Sequence, residues 1–220
     1  MIGLEPQHKR EFQIERMILF SDAVFAIAIT LLVLEIKVPH VEEQTDQALL
    51  NMLFKLIPKF IGFFISFFVI GQYWVVHHKL FGFVENYNGG LLWLNLFYLL
   101  SIVLMPFSTA LYSENIHSTL SFVIYCLNVF GSGIMAFLMW RFIGNEKNNL
   151  SELHKHKELL SYFSIRSVVI ASAFAVGAIV ASFNSDLAKF SPVLILPALK
   201  VINSKYKKVI EQHRQKNWKV

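Results

Sequence analysis

Residues 18–36 read ILFSDAVFAIAITLLVLEI. Only Asp22 near one end and Glu35 at the other are charged. A helix of about 20 mainly apolar residues crosses the hydrocarbon core of a bilayer, so this stretch predicts a membrane span. It is not expected to be a cleaved signal, because it holds an aspartate, lacks a small-residue cleavage site and continues into an acidic segment. Five further apolar blocks follow, at about 56–76, 91–111, 120–142, 162–183 and 190–202. Pro58 is expected in the first turn of the second helix, where a missing N–H costs nothing. Pro106 falls near the end of the third block, and Pro192 and Pro197 interrupt the short sixth.

Composition agrees with that pattern. Of 220 residues, 55% are hydrophobic, 16% are charged and 21 are Phe. Soluble domains carry about 25% charged residues. The mean hydropathy of +0.51 leaves too little polar surface for a water-soluble globule and excludes disorder. One cysteine, Cys126, excludes an intrachain disulfide. A net charge of +5 is compatible with a nucleic-acid partner, but the basic residues lie between and after the apolar blocks, and no recognition module is visible. No nucleic acid is expected.

The loops alternate in charge, which sets orientation. Lys9, Arg10 and Arg16 precede the first block, and Glu42, Glu43 and Asp46 follow it. His77, His78 and Lys79 follow the second, and Glu114 follows the third without Lys or Arg. Arg141, Lys147, Lys155 and Lys157 follow the fourth, Asp186 and Lys189 the fifth. The tail carries Lys200, Lys205, Lys207, Lys208, Arg214, Lys216 and Lys219. Basic loops stay cytoplasmic. The expectation is an all-α integral membrane protein with six transmembrane helices per chain, both termini cytoplasmic, multi-pass in the cell membrane. The basic tail reads as a topology anchor touching anionic lipid or as a partner-binding segment.

On the first helix, each residue advances about 100°. Ala23, Ile27, Thr30, Leu31 and Leu34 therefore share one stripe, with Asp22 roughly opposite Ile27. Such a stripe lines a narrow path or packs against other helices; periodicity leaves both open. Asp22 is costly inside a span and needs a partner or a function. Ser21 stands beside it, and Arg16, His77 and His78 are candidate partners at its depth. It serves as a polar staple between helices one and two or as a proton-responsive element. Asn95, beside Trp93, needs a partner across helices. Tyr73, Trp74 and Trp140 fit an interfacial aromatic belt.

Arg16-Met17-Ile18-Leu19-Phe20-Ser21-Asp22 is an Arg-x-x-x-Phe-Ser-Asp motif opening the first helix. It resembles the signature of the transmembrane protein 175 family, the lysosomal and prokaryotic potassium channels. Trp93-Leu94-Asn95-Leu96 and Pro106-Phe107-Ser108-Thr109 also look like family features. The resemblance implies a homotetramer whose first helices line a central pore. It implies constrictions at Ile27, Leu31 and Leu34, and a selectivity layer at Thr30. Arg16, Phe20, Ser21 and Asp22, with His77, His78, Trp93 and Asn95, carry over as a network that holds helix one. No Thr-Val-Gly-Tyr-Gly filter is present.

On this reading, residues 1–205 form the channel domain and residues 206–220 a basic cytoplasmic tail. A ring of Ile27 side chains dewets when narrow. Potassium sheds water more cheaply than sodium, so modest potassium selectivity is expected. Glu35 and the acidic loop would concentrate cations at the outer mouth, although that loop also reads as a solvated turn. No cofactor is expected beyond the permeating potassium ions, and the partners are the bilayer and copies of the chain. His154 and His156 lack a third metal ligand nearby, so no metal is expected. No nucleophile elbow, phosphate loop or catalytic acid pair occurs, so an enzyme is not expected. The competing readings are a secondary transporter or proton-coupled ion carrier, and a membrane scaffold.

Overall fold

The computed structural model describes residues 6–40 and 45–211, all helices and connecting turns. The α-helices are α1 (Pro6–Leu34), α2 (Asp46–Phe81), α3 (Gly89–Val103), α4 (Met105–Glu114), α5 (Thr119–Ile143), α6 (Lys157–Ala181), α7 (Ser185–Ala188) and α8 (Ile195–Lys205). Six stretches among the described residues are long and apolar enough to cross a membrane: His8–Leu34, Asp46–Phe81, Gly89–Glu114, Thr119–Ile143, Lys157–Ala181 and Asp186–Lys205. They match the six expected blocks in order.

The helix limits differ from the apolar limits. α1 begins at Pro6, so about three polar turns project beyond the apolar stretch. α2 begins at Asp46, capped by Thr45, whose hydroxyl accepts from the Ala48 N–H at 3.3 Å. Pro58 therefore lies inside α2, not in its first turn. Its fixed φ suits a helix, and the loss is confined to one backbone bond, to the Phe54 carbonyl. Asp46 sits at the N-terminal end of α2, where a carboxylate offsets the helix dipole. Glu42 and Glu43 lie outside the described residues.

The third block is two helices meeting at Leu104. Pro106 stands in the first turn of α4 rather than near a helix end, and lacks the N–H that would bond the Ile102 carbonyl. In the sixth block, Pro192 opens a 3-10 turn, Ser191–Leu194, which runs into α8. The basic tail continues helically over residues 207–211; Arg214, Lys216 and Lys219 lie outside the described residues.

In a bilayer, apolar surface alone gives helices no reason to associate; close approach and interhelical hydrogen bonds do. Both are present. A Cβ on Gly133 would collide with Ala171, so this glycine lets α5 and α6 approach. A Cβ on Gly177 would collide with Ser191. Trp140 stacks on Phe163 with rings 4.6 Å apart and 9° from parallel. Thr109 donates to Ser66 Oγ at 2.7 Å, and Ser66 donates to Tyr125 Oη at 3.3 Å, joining α4, α2 and α5. Tyr73 donates to the Val129 carbonyl at 2.7 Å, and Tyr98 to the Tyr73 carbonyl at 3.0 Å. Tyr73 and Trp140 are thus inside the bundle, 3% and 1% exposed, not in an interfacial belt. Their rings fill gaps between helices, which outweighs a place at the membrane surface. Lys59 and Glu114, 2.9 Å apart, tie α2 to α4 at the end opposite Pro6.

Candidate functional site

α1 has one face against the bundle and one face away from it. Ile14, Met17, Ser21, Phe25, Ala28 and Leu32 recur every three or four residues and are buried. Ile27, Leu31 and Leu34 are 58%, 39% and 70% exposed, and Ala23 and Thr30 are exposed with them. The stripe read from periodicity therefore points out of the chain's own bundle. Packing against the chain's other helices, one of the two readings of that stripe, is not what it does.

Thr30 has a specific geometry. Its hydroxyl donates to the Ile27 carbonyl at 2.9 Å. The proton is committed to the helix, and the oxygen lone pairs are left to the open face. Glu35 lies just past the end of α1 and is exposed, with no ion pair among the described residues.

The buried face is fastened by a chain of hydrogen bonds. Ser21 donates to the Met17 carbonyl at 2.8 Å, one turn back. Its oxygen accepts from Asn95 Nδ2 at 2.9 Å. Asn95 Oδ1 accepts from His77 Nε2 at 2.8 Å. The direction is forced: the Ser21 proton is spent on Met17, so the Asn95 amide must donate to Ser21 and its oxygen must accept from His77. His77 therefore carries its proton on Nε2, and its Nδ1 is buried without a partner. The His77 ring lies against Phe81 (4.4 Å), Phe25 (5.4 Å) and Tyr98 (5.7 Å). Helices α1, α2 and α3 thus meet at one polar point wrapped in aromatic rings.

Asp22 is fastened separately. Its Oδ1 accepts from Trp74 Nε1 at 2.9 Å, and the Trp74 ring stacks on His78 at 5.6 Å. The partners expected for Asp22 were Arg16, His77 and His78; none of them bonds it. Arg16 lies six positions earlier, about 120° around the helix. It is exposed, with its guanidinium 5.8 Å from the Phe12 ring. His77 is committed to Asn95, and His78 reaches Asp22 only through the Trp74 ring. Phe20 and Trp93 are 53% and 64% exposed and stand outside the hydrogen-bonded set. Trp74, assigned from sequence to a membrane-surface belt, is the residue that reading missed. An indole N–H near a half-buried carboxylate at matching depth is a usable signal, but depth is not legible from spacing.

Among the described residues, no group of three or more His, Cys, Asp or Glu side chains could hold a metal ion. His154 is bonded to the Ser151 carbonyl at 3.0 Å in the α5–α6 connection.

Residues 16–106, which include the fastened face of α1, the Trp74 and His77 turns and Asn95, match the family model "Endosomal/lysosomal potassium channel TMEM175". Over this segment the chain is similar to TMEM175-family sequences. A protein of Chryseobacterium sp. (strain P1-3) named as a potassium channel is 44% identical over 94 residues, 43% of this chain and 46% of that one. The TMEM175 of Gallus gallus, named as an endosomal/lysosomal proton channel, is 27% identical over 197 residues, 82% of this chain and 39% of that one. The match thus spans less than half the length of each of these relatives. The crystal structure of a lysosomal potassium-selective channel TMEM175 homolog from Chamaesiphon minutus superposes with a TM-score of 0.73 at 26% identity. It covers 87% of this chain and 98% of that one. The TMEM175 relatives are channels, not enzymes, and the helical fold of that homologue extends through the part of the chain beyond residue 106.

Proposed function

We propose that the chain is a subunit of a potassium channel in the cell membrane, a homotetramer in which four α1 helices surround a central pore. The observation that supports this most directly is the two-sidedness of α1. One face is bonded to α2 and α3 through Ser21, Asp22 and Asn95. The other presents Ile27, Thr30, Leu31 and Leu34 outward. A lipid-facing helix has no need for a hydroxyl in its exposed stripe or for alanines beside it; a helix facing its own copies across a narrow axis does.

In this reading four Ile27 side chains form the tightest ring. A ring of methyl groups excludes water when narrow, and ions with it. Widening admits a partly hydrated cation, and potassium loses water at lower cost than sodium. Four Thr30 oxygens, whose protons are held by the Ile27 carbonyls, offer lone pairs at the next level. The result is modest preference for potassium, since neither layer replaces a full hydration shell. Leu31 and Leu34 continue the apolar wall outward, and Glu35 raises cation concentration at the outer mouth. Arg16, Phe20, His78 and Trp93 belong to the surroundings of the fastened end. Residues 1–205 are the channel domain and 206–220 a cytoplasmic basic tail, with both termini inside.

The test is ion flux through purified protein in liposomes under potassium, sodium and caesium gradients, with a pH-sensitive dye in parallel. Non-saturating potassium flux exceeding sodium flux is expected. The name borne by the Gallus gallus relative makes proton conduction the second reading, and dye acidification without potassium flux would select it. Saturable, coupled flux would instead indicate a secondary transporter.

A further inference from the structure

Between Leu159 and Ala181, α6 carries one charged side chain, Arg166. It stands about 14 Å along the helix from Lys157, well inside a membrane-capable segment. A charge at that depth is costly unless paired or reached by a polar group. Arg166 Nη1 donates to Tyr162 Oη at 3.0 Å, and Tyr162 donates to Asn203 Oδ1 of α8 at 3.1 Å. That accounts for one of the five guanidinium N–H donors. No carboxylate among the described residues forms an ion pair with Arg166. Glu158 lies two turns toward the helix start, and Glu211 is 3.9 Å from Lys207. Asn203 is exposed, and its amide N–H₂ has no partner among the described residues.

The seam between α6 and α8 therefore gathers unused donors and an uncompensated positive charge on the side of a membrane bundle. The missing element is an anion that enters from the bilayer. The same end of the seam carries Lys205, Lys207 and Lys208. Apolar surface adjoins it: Ile165 is 36% exposed and Val201 69%. Basic pockets between membrane helices suit anionic headgroups, and arginine reaches them by extending its side chain toward the interface.

We infer that the α6–α8 seam at Arg166 and Asn203 binds the phosphate of an anionic phospholipid. The guanidinium and the Asn203 amide donate to phosphate oxygens, while acyl chains lie along Ile165 and Val201. Arginine suits this task because its planar fork grips two phosphate oxygens at once. The inference concerns a lateral site built from α6 and α8, not from the α1 stripe, and holds whether or not the protein conducts potassium.

The test uses the full chain, purified in detergent and stripped of lipid phosphorus. Phosphatidylglycerol, phosphatidylcholine and inorganic phosphate are added in turn. Binding is read by native mass spectrometry and by thermal unfolding. Wild type is expected to hold phosphatidylglycerol about fivefold more tightly than phosphatidylcholine. Arg166→Gln should lose that preference, and Arg166→Lys should restore only part of it. Asn203→Leu keeps the Arg166 charge, removes the acceptor for Tyr162 and should weaken phosphatidylglycerol binding, which keeps the question open to test if Arg166→Gln does not fold. Equal binding of the two lipids by wild type, or unchanged preference in either Arg166→Gln or Asn203→Leu, overturns the inference. Inorganic phosphate stabilising the protein as much as phosphatidylglycerol would assign the site to a free anion and overturn the lipid as its source.

Discussion

Asn95 of α3 donates to Ser21 of α1 at 2.9 Å while accepting from His77 of α2. One amide thus spans three helices, using both of its ends. The rings of Phe25, Phe81 and Tyr98 pack around the His77 end of that bridge.

Removing the amide leaves two buried polar groups without partners. Asn95→Leu strands the Ser21 oxygen and the His77 Nε2–H, a loss of about 1–3 kcal/mol for each orphaned group before any relaxation. The expected outcome is a clear drop in thermal unfolding temperature in detergent. A variant as stable as wild type would show that water enters this point freely.

Asp22 and Trp74 should be coupled. Trp74→Phe deletes the donor and leaves a carboxylate with no described partner, whereas Asp22→Asn keeps an oxygen to accept from the indole. Trp74→Phe is expected to destabilise more than Asp22→Asn, and the double variant less than the sum. A double-mutant cycle on unfolding midpoints measures the coupling, expected at about 0.5–2 kcal/mol. Additive losses would mean that the bond contributes nothing.

Ile27→Asn places a polar side chain on the exposed stripe. In the proposed tetramer this would wet the constriction. Larger resting flux in liposomes is the expected result, and unchanged single-channel currents would remove Ile27 from the gate.

Thr30→Val keeps the shape and deletes the oxygen. On the proposed channel reading, the preference for potassium over sodium should fall, with a reversal potential closer to zero under opposed gradients. An unmoved reversal potential would leave selectivity to the apolar rings alone.

Gly133 supports the contact between α5 and α6. Gly133→Val drives a branched side chain into Ala171, where the facing atoms cannot yield without moving the helix. A loss of several kcal/mol, or failure to fold, is expected, since overpacking alone costs about 1–3 kcal/mol. The paired change Gly133→Ala with Ala171→Gly should recover part of it in the same unfolding assay.

Much of this architecture is legible in the chain itself. Six apolar blocks give six spans, because hydrocarbon leaves the backbone few alternatives to a helix. The stripe on α1 is legible because periodicity fixes which residues share a face. The need of Asp22 and Asn95 for partners is legible because unpaired polar groups in a span are costly. Which partner each one takes is not legible. Trp74 lies 52 residues from Asp22, and their meeting depends on the relative depth and rotation of two helices, which no single helix encodes. Tyr73 and Trp140 mislead for the same reason: aromatic residues near block ends suit the interface or the core equally well. Pro58 misleads because α2 extends three turns beyond its greasy segment, and Arg166 is hidden in a block whose alanines and serines dominate its reading.

Among the described residues, the hydrogen bonds from the Arg16–Leu34 part of α1 to other helices are made at the adjacent residues Ser21 and Asp22. A rod pinned at one height tips about that height. Leu34 stands about 20 Å from the pin and Ile27 about half that. Any lean of α1 therefore displaces Leu34 roughly twice as far as Ile27, and swings the Pro6 arm the opposite way.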